Sequence, residues 1–315
     1  MRADGSHRLR LLRSRRVIAS DPAWSGDGRY VAFGGGGKIL VADARGRVRW
    51  HFSLGSRDGA GSPLWAPDGR HIAYVFSSPY RQGLAVAQPD GSDDHEIAPI
   101  APGSWPPDEL TEPAWTPDGQ HLAFNDQGSN KDPQGIYSVS VDGSDRRLLV
   151  AHAFDPAFSP DGSKLAYVAV DGAGLPGIYI ADADGRNPRT LTLSTDAISP
   201  TWSPDGRGVA FQRGDTIVVA DADGSNERVI ASSVGPFPYV TVFAWSPDSK
   251  LITFTRPSRS FEDRPFTSSV VVAQADGGGE RVVLRRRSKV LLQLPAWRPA
   301  TPLPRAKRLP CAAPH

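Results

Sequence analysis

One short segment recurs along the chain and fixes what it can fold into. Pro22-Ala23-Trp24-Ser25-Gly26-Asp27-Gly28 returns as Pro63-Leu64-Trp65-Ala66-Pro67-Asp68-Gly69 and again as Pro113-Ala114-Trp115-Thr116-Pro117-Asp118-Gly119. Further copies are Pro156-Ala157-Phe158-Ser159-Pro160-Asp161-Gly162, Pro200-Thr201-Trp202-Ser203-Pro204-Asp205-Gly206 and Ala244-Trp245-Ser246-Pro247-Asp248-Ser249. A seventh start, Pro295-Ala296-Trp297-Arg298-Pro299, lacks the Asp-Gly. The aromatic anchors are 41, 50, 43, 44, 43 and 52 residues apart. A period of this size marks an array of supersecondary units, each too small to bury its own apolar faces.

Each copy has the same internal order. A short strand A carries the aromatic. A tight turn follows, in which Pro presets φ, Asp bonds the backbone and Gly supplies φ > 0. Strand B pairs a small residue with an aromatic, as in Val31-Ala32-Phe33, Ile72-Ala73-Tyr74 and Val209-Ala210-Phe211. Strand C, such as Ile178-Tyr179-Ile180, ends at an Asp-Gly hairpin signal at Asp90-Gly91, Asp142-Gly143, Asp184-Gly185, Asp223-Gly224 or Asp276-Gly277. Strand D alternates basic and apolar residues. No segment keeps a 3.6-residue apolar period, so almost no helix is expected. The 32 glycines and 29 prolines read as punctuation between short strands.

Four-stranded units of this kind bury both faces when stacked radially. The expected fold is therefore all-β, a β-propeller of four-stranded antiparallel blades. The blades start near 21, 62, 112, 155, 199 and 242, within one domain spanning 1–299, and a Pro-rich flexible tail is expected over 300–315. Met1-Arg2-Ala3-Asp4-Gly5-Ser6 matches the C–D hairpin and His7–Leu12 matches strand D, while the far end supplies a lone strand A at Trp297. Residues 1–20 and 294–299 thus read as a partial blade lacking strands B and C. Either six blades close the ring, or the ends share a seventh blade and an upstream segment supplies its missing strands.

The pattern Ala-Trp-Ser-Pro-Asp-Gly-x-x-x-Ala-Phe with a later Ala-Asp-Gly-Ser resembles the TolB-type, WD40-like propeller repeat, over essentially residues 1–299. The resemblance implies the fold and a role in docking a partner, often in the cell envelope. It names no partner.

Strand direction puts the short A–B and C–D turns on one face and the B–C and D–A loops on the other. The long segments, Phe76–Gly83, Ala98–Leu110, Asp126–Gly135, Val170–Gly177, Ser232–Thr241 and Arg256–Thr267, all belong to the second face. Loops of that length are often functional. They carry Tyr80, Trp105, Phe237, Tyr239, Phe261 and Phe266 among prolines, which suits a surface for a protein or peptide; the bland alternative is that each ring plugs its own loop. Asp21, Glu112 and Asp155 share one repeat position at the expected channel mouth. They are either caps for loop backbone or, as a set of three carboxylates, ligands for Ca²⁺.

Catalytic motifs are not found. There is no G-x-S-x-G, and Gly34-Gly35-Gly36-Gly37-Lys38 has the wrong spacing for a phosphate loop. Asp182-Ala183-Asp184-Gly185 resembles half a Ca²⁺ loop but recurs as Asp221-Ala222-Asp223-Gly224, which marks it as the C–D turn. His71 and His121 share a repeat position away from the long-loop face, and no histidine set joins the carboxylates. The expectation is a non-catalytic, monomeric binding propeller. The rival readings are a lyase- or lactonase-type propeller with a channel metal, and a sensor domain of a larger protein.

A net charge of +2 gives no reason to expect a nucleic-acid partner. Two basic runs, His7–Arg16 and Arg281–Lys289, read as solvated strand faces or as a patch for an acidic partner or phosphates. The single cysteine, Cys311, rules out an internal disulfide and a thiolate metal cluster. No apolar run approaches a membrane span, and no signal peptide is present in the sequence as written. The expected location is the cytoplasm, or the periplasm or exterior if the start lies upstream.

Overall fold

The computed structural model describes residues 20–53, 59–78, 82–100, 113–128, 132–170, 174–232, 243–257, 266–288 and 297. They form six four-stranded antiparallel sheets, each with its strands in chain order, arranged as the blades of a β-propeller. The blades cover 20–52, 59–100, 114–151, 153–193, 197–231 and 243–288, and no helix occurs among the described residues. The residues of the tail and of the expected partial blade, apart from Ser20 and Trp297, lie outside this set.

Alternation along strand B explains how the blades stack. In each strand the small residue faces the following blade and the aromatic faces the preceding one. Ala210 joins Phe243, Trp245, Ile252 and Phe254 of the next blade, whereas Phe211 joins Val168, Ile178 and Ile180 of the previous one. The same division holds for Ala73 and Tyr74, Ala123 and Phe124, and Ala166 and Tyr167. The core is therefore a series of seams between blades. Phe124, Phe211 and Phe254 are fully buried in them.

The anchor aromatics add a directional bond to each seam. The Trp65 indole N–H donates to Ala23 O (3.0 Å), Trp115 to Leu64 O (3.1 Å), Trp202 to Ala157 O (3.1 Å) and Trp245 to Thr201 O (3.1 Å). The acceptor is always the residue just before the anchor of the preceding blade. One rung is missing, between blades 3 and 4, because the anchor there is Phe158, which has no N–H.

The turns are built as their residues require. In blade 4, Ser159 Oγ donates to Asp161 Oδ1 (2.6 Å) and accepts from Lys164 N (2.9 Å), which locks the A–B turn from inside. Thr116, Ser203 and Ser246 do the same in their blades. In the C–D turn of that blade, Gly185 sits at φ 84°, and a Cβ there would lie 2.3 Å from Leu149 O of blade 3. Its lack of a side chain thus serves both the left-handed backbone and the close approach of the neighbouring blade.

Candidate functional site

The face that carries the B–C and D–A loops is the candidate site. Tyr80, Trp105, Phe237, Tyr239 and Phe261 lie outside the described residues, as does Glu112. Phe266 is not in a loop: it opens strand Phe266–Gln274 and pairs with Ser288. The ladder on both sides of that strand continues beyond the apolar core pattern, which is why reading the hydrophobic segment alone starts the strand too late.

Asp21 and Asp155 fall where strand A bulges. Blades 1, 2, 4 and 5 each carry a register shift here, with Asp21, Ser62, Asp155 and Ser199 in the left-handed region at φ 47–54°. This is the first position of a bulge, and Asp tolerates it better than most residues with a side chain. Asp155 Oδ2 accepts from Ser199 N (3.0 Å) and lies 3.5 Å from Ser199 Oγ, while Asp155 N donates to Asn125 Oδ1 (3.2 Å). Asp21 Oδ2 accepts from Ser62 Oγ at 3.5 Å. Each carboxylate therefore engages the same repeat position of the following blade, linking strand A to strand A around the axis. Among the described residues no group of three or more His, Cys, Asp or Glu is placed to hold a metal.

The structure shows two features that the motif pattern did not announce. The first is a set of ion pairs under the loops. Arg213 donates to Glu227 (2.7 Å) and Arg256 to Glu280 (2.7 and 2.8 Å). In blade 3 the same two repeat positions hold Asp126 and Arg146, bonded at 2.9 Å with the charges exchanged. Asp126 is buried, and its other oxygen accepts from Gly128 N (2.8 Å), which ties down the start of the B–C loop. The Arg146 guanidinium lies 4.1 Å from the centroid of the Tyr137 ring. The charge exchange could have been found by aligning the repeats column by column.

The second feature is apolar. Eight large hydrophobic side chains are exposed among the described residues. Val48, Leu148, Val229 and Val282 are spread one per blade along strand D. Phe154, Val170, Leu175 and Leu193 all sit at the long-loop end of blade 4, with Val170 and Leu193 each 53% exposed. Register explains the grouping: Val170 pairs with Pro176, beside Leu175; Leu193 pairs with Gly177; and Phe154 pairs with Val168. Scattered exposed hydrophobics are ordinary, but these four concentrate at one end of one blade, Phe154 and Val170 on one side of the sheet and Leu193 on the other.

No protein-family model matches the chain. An 81-residue stretch is 43% identical to the Tol-Pal system protein TolB of Thioalkalivibrio sulfidiphilus, covering 23% of this chain and 19% of that one. A 78-residue stretch is 37% identical to the Tol-Pal system protein TolB of Xanthomonas campestris pv. campestris, covering 22% and 18%. A solved TolB from Acinetobacter baumannii superposes with a TM-score of 0.58 over 84% of this chain and 62% of its own, at 19% identity. The chain is similar in part of its sequence to TolB and shares the β-propeller fold. The TolB-like matches in sequence span less than a quarter of the chain and about a fifth of the relatives. An oligogalacturonate lyase in complex with manganese also superposes, with a TM-score of 0.60 over 84% of this chain and 77% of its own. At 14% identity that likeness concerns the fold alone. Among the described residues, no helix is long and apolar enough to cross a membrane.

Proposed function

We propose that this chain is a non-catalytic binding propeller that takes a protein or peptide on its long-loop face. The observation that carries the reading is the concentration of exposed apolar side chains, Phe154, Val170, Leu175 and Leu193, at the long-loop end of blade 4. The aromatic residues Tyr80, Trp105, Phe237, Tyr239 and Phe261 belong by sequence to loops of the same face. Large rings and aliphatic side chains gathered on a rigid rim are what a protein interface core needs. The sequence relatives are named as proteins of the Tol-Pal system, which makes a partner of a Tol-Pal-type assembly the first to test.

The test compares two variants of the full chain. Phe154→Ser with Val170→Ser removes two exposed side chains on one side of the blade 4 sheet; Val229→Ser with Val282→Ser removes two comparably exposed side chains on strand D. Partner cross-linked to the tagged protein in its own cells should fall at least tenfold with the first variant and stay unchanged with the second. Equal losses, or a loss confined to the strand D variant, would overturn the proposal.

A further inference from the structure

We propose that the seam between blades 2 and 3 carries a proton-operated clamp: His95 bridges the two blades as a doubly protonated imidazolium, so this seam is tighter in mild acid than in alkali. The His95 ring reaches two backbone carbonyls. Its Nδ1 lies 2.7 Å from Asp93 O in its own blade, and its Nε2 lies 3.0 Å from Val141 O of blade 3. A carbonyl oxygen can only accept. A neutral imidazole has one N–H, and its other nitrogen would set a lone pair against an oxygen. Both contacts are hydrogen bonds only when both nitrogens hold a proton.

The repeat gives an independent argument. Asp93, Asp145, Asn187 and Asn226 hold one position after the C–D turn, each in the left-handed region at φ 52–54°. Two residues further on stand His95, Arg147, Arg189 and Arg228, so histidine replaces arginine in blade 2. Arg228 Nε donates to Ala275 O of blade 6 (2.8 Å), and its Nη1 donates to Asn226 O (3.1 Å). Arg189 donates to Ala222 O of blade 5. Val141, Ala222 and Ala275 are again one repeat position, just before Asp142, Asp223 and Asp276. His95 therefore makes the two bonds that Arg228 makes, to the same two carbonyls of the repeat. Arginine keeps its charge and its donors at any pH the fold meets. In blade 2 the donor is one that a rise in pH removes.

The charges around the ring favour the cation. On its own turn, Asp93 Oδ1 lies 3.7 Å from Nδ1, and Asp94 accepts from the Tyr74 hydroxyl. Asp90 is bonded by Ser92, and Glu96 lies on the opposite side of the strand. Blade 3 brings Asp142, bonded by Ser140 and Ser144, and Asp145, which lies 3.9 Å from His121. Partial burial of the ring opposes its charge. The carbonyls of Asp93 and Val141 and the carboxylates of Asp93 and Asp94 outweigh it, and the His95 pKa is raised above its ordinary 6.5. A histidine raised in the folded state stabilises fully below its unfolded value and loses that contribution as pH rises through the folded one. The clamp lies at the C–D turns, away from the long-loop face, so it stands or falls separately from docking there.

The test uses the full chain and His95→Arg, which gives blade 2 the arginine of blades 3 to 5. Imidazole NMR of the unchanged chain, with the His95 resonance identified by its absence from the variant, should show a pKa above 6.5. Urea unfolding from about pH 5 to about 8 should show the parent losing stability relative to His95→Arg as pH rises, with the two running parallel at the acid end. A His95 pKa at or below 6.5 would overturn the proposal. A difference between parent and variant that stays constant across the range would overturn it too, since the proton would then leave the seam unchanged.

Discussion

The indole N–H of Trp202 donates to the carbonyl of Ala157, one blade back and 3.1 Å away. This bond repeats at Trp65, Trp115, Trp245 and Trp297, so the aromatic of the repeat does two jobs. It fills the seam, and it satisfies the carbonyl that the preceding innermost strand directs at it. A buried carbonyl left unbonded is costly, which makes the ladder a contribution to stability as well as a register mark.

The Phe158 seam offers a natural control. Trp202→Phe should lower the unfolding free energy of the full chain by about 1 kcal/mol, the net value of one such bond. Phe158→Trp should restore the missing rung to Ala114 and raise stability by a similar amount, about 1 kcal/mol. Urea unfolding of both variants checks this. A Phe158→Trp protein less stable than its parent would mean that the seam has no room for the indole.

The exchanged ion pair of blade 3 predicts a rescue. Asp126→Arg alone sets two guanidiniums together under the loop and should cost roughly 2–4 kcal/mol, near the range for breaking a buried pair. Adding Arg146→Glu reproduces the arrangement of Arg213 with Glu227 and should recover about half of that loss. Full recovery is not expected, because Asp126 also accepts from Gly128 N. No recovery would show that the two positions do not communicate.

Acid should loosen the A–B turns before it reaches the seams. The Ser159 hydroxyl, with the Ser163 backbone N–H, holds the Asp161 carboxyl down to about 2, from an ordinary value of 3.8. Asp118, Asp205 and Asp248 are lowered by the hydroxyls of Thr116, Ser203 and Ser246. A depressed carboxyl stabilises the fold above its unfolded value and loses that contribution as pH falls toward its folded value. Stability should therefore be flat above pH 3.8 on account of Asp161 and should fall between there and about 2. Thermal unfolding across that window, with Ser159→Ala reducing the dependence, is the check; an unchanged slope in the variant would contradict it.

The fold could be read from the sequence because the repeat restates its rules, Pro-Asp-Gly in four A–B turns and the small–aromatic pair in all six blades. Pro-Asp-Gly, the small–aromatic pair and the Asp-Gly hairpin each encode a local geometry, and their common period leaves radial stacking as the way to bury both faces. The candidate site was legible only in part. Asp21 and Asp155 share one repeat position in the sequence, but the bulge that turns them toward the next blade depends on φ, which no residue type there enforces. The concentration of exposed apolar residues on blade 4 was missed for a related reason. Val170 and Leu193 look like ordinary strand residues, and their exposure follows from where the strands of blade 4 end. Phe266 looks like a loop residue in sequence because strand pairing extends beyond the apolar run.

The central claim is that a partner docks on the long-loop face. Hydrogen exchange of the full chain, with and without the co-purified partner, tests it most directly. The account predicts slowed exchange at the long-loop end of blade 4, in peptides covering 153–154, 170–176 and 192–194, with the A–B and C–D turns unaffected. Protection centred on the Pro-Asp-Gly turns of the opposite face would contradict it.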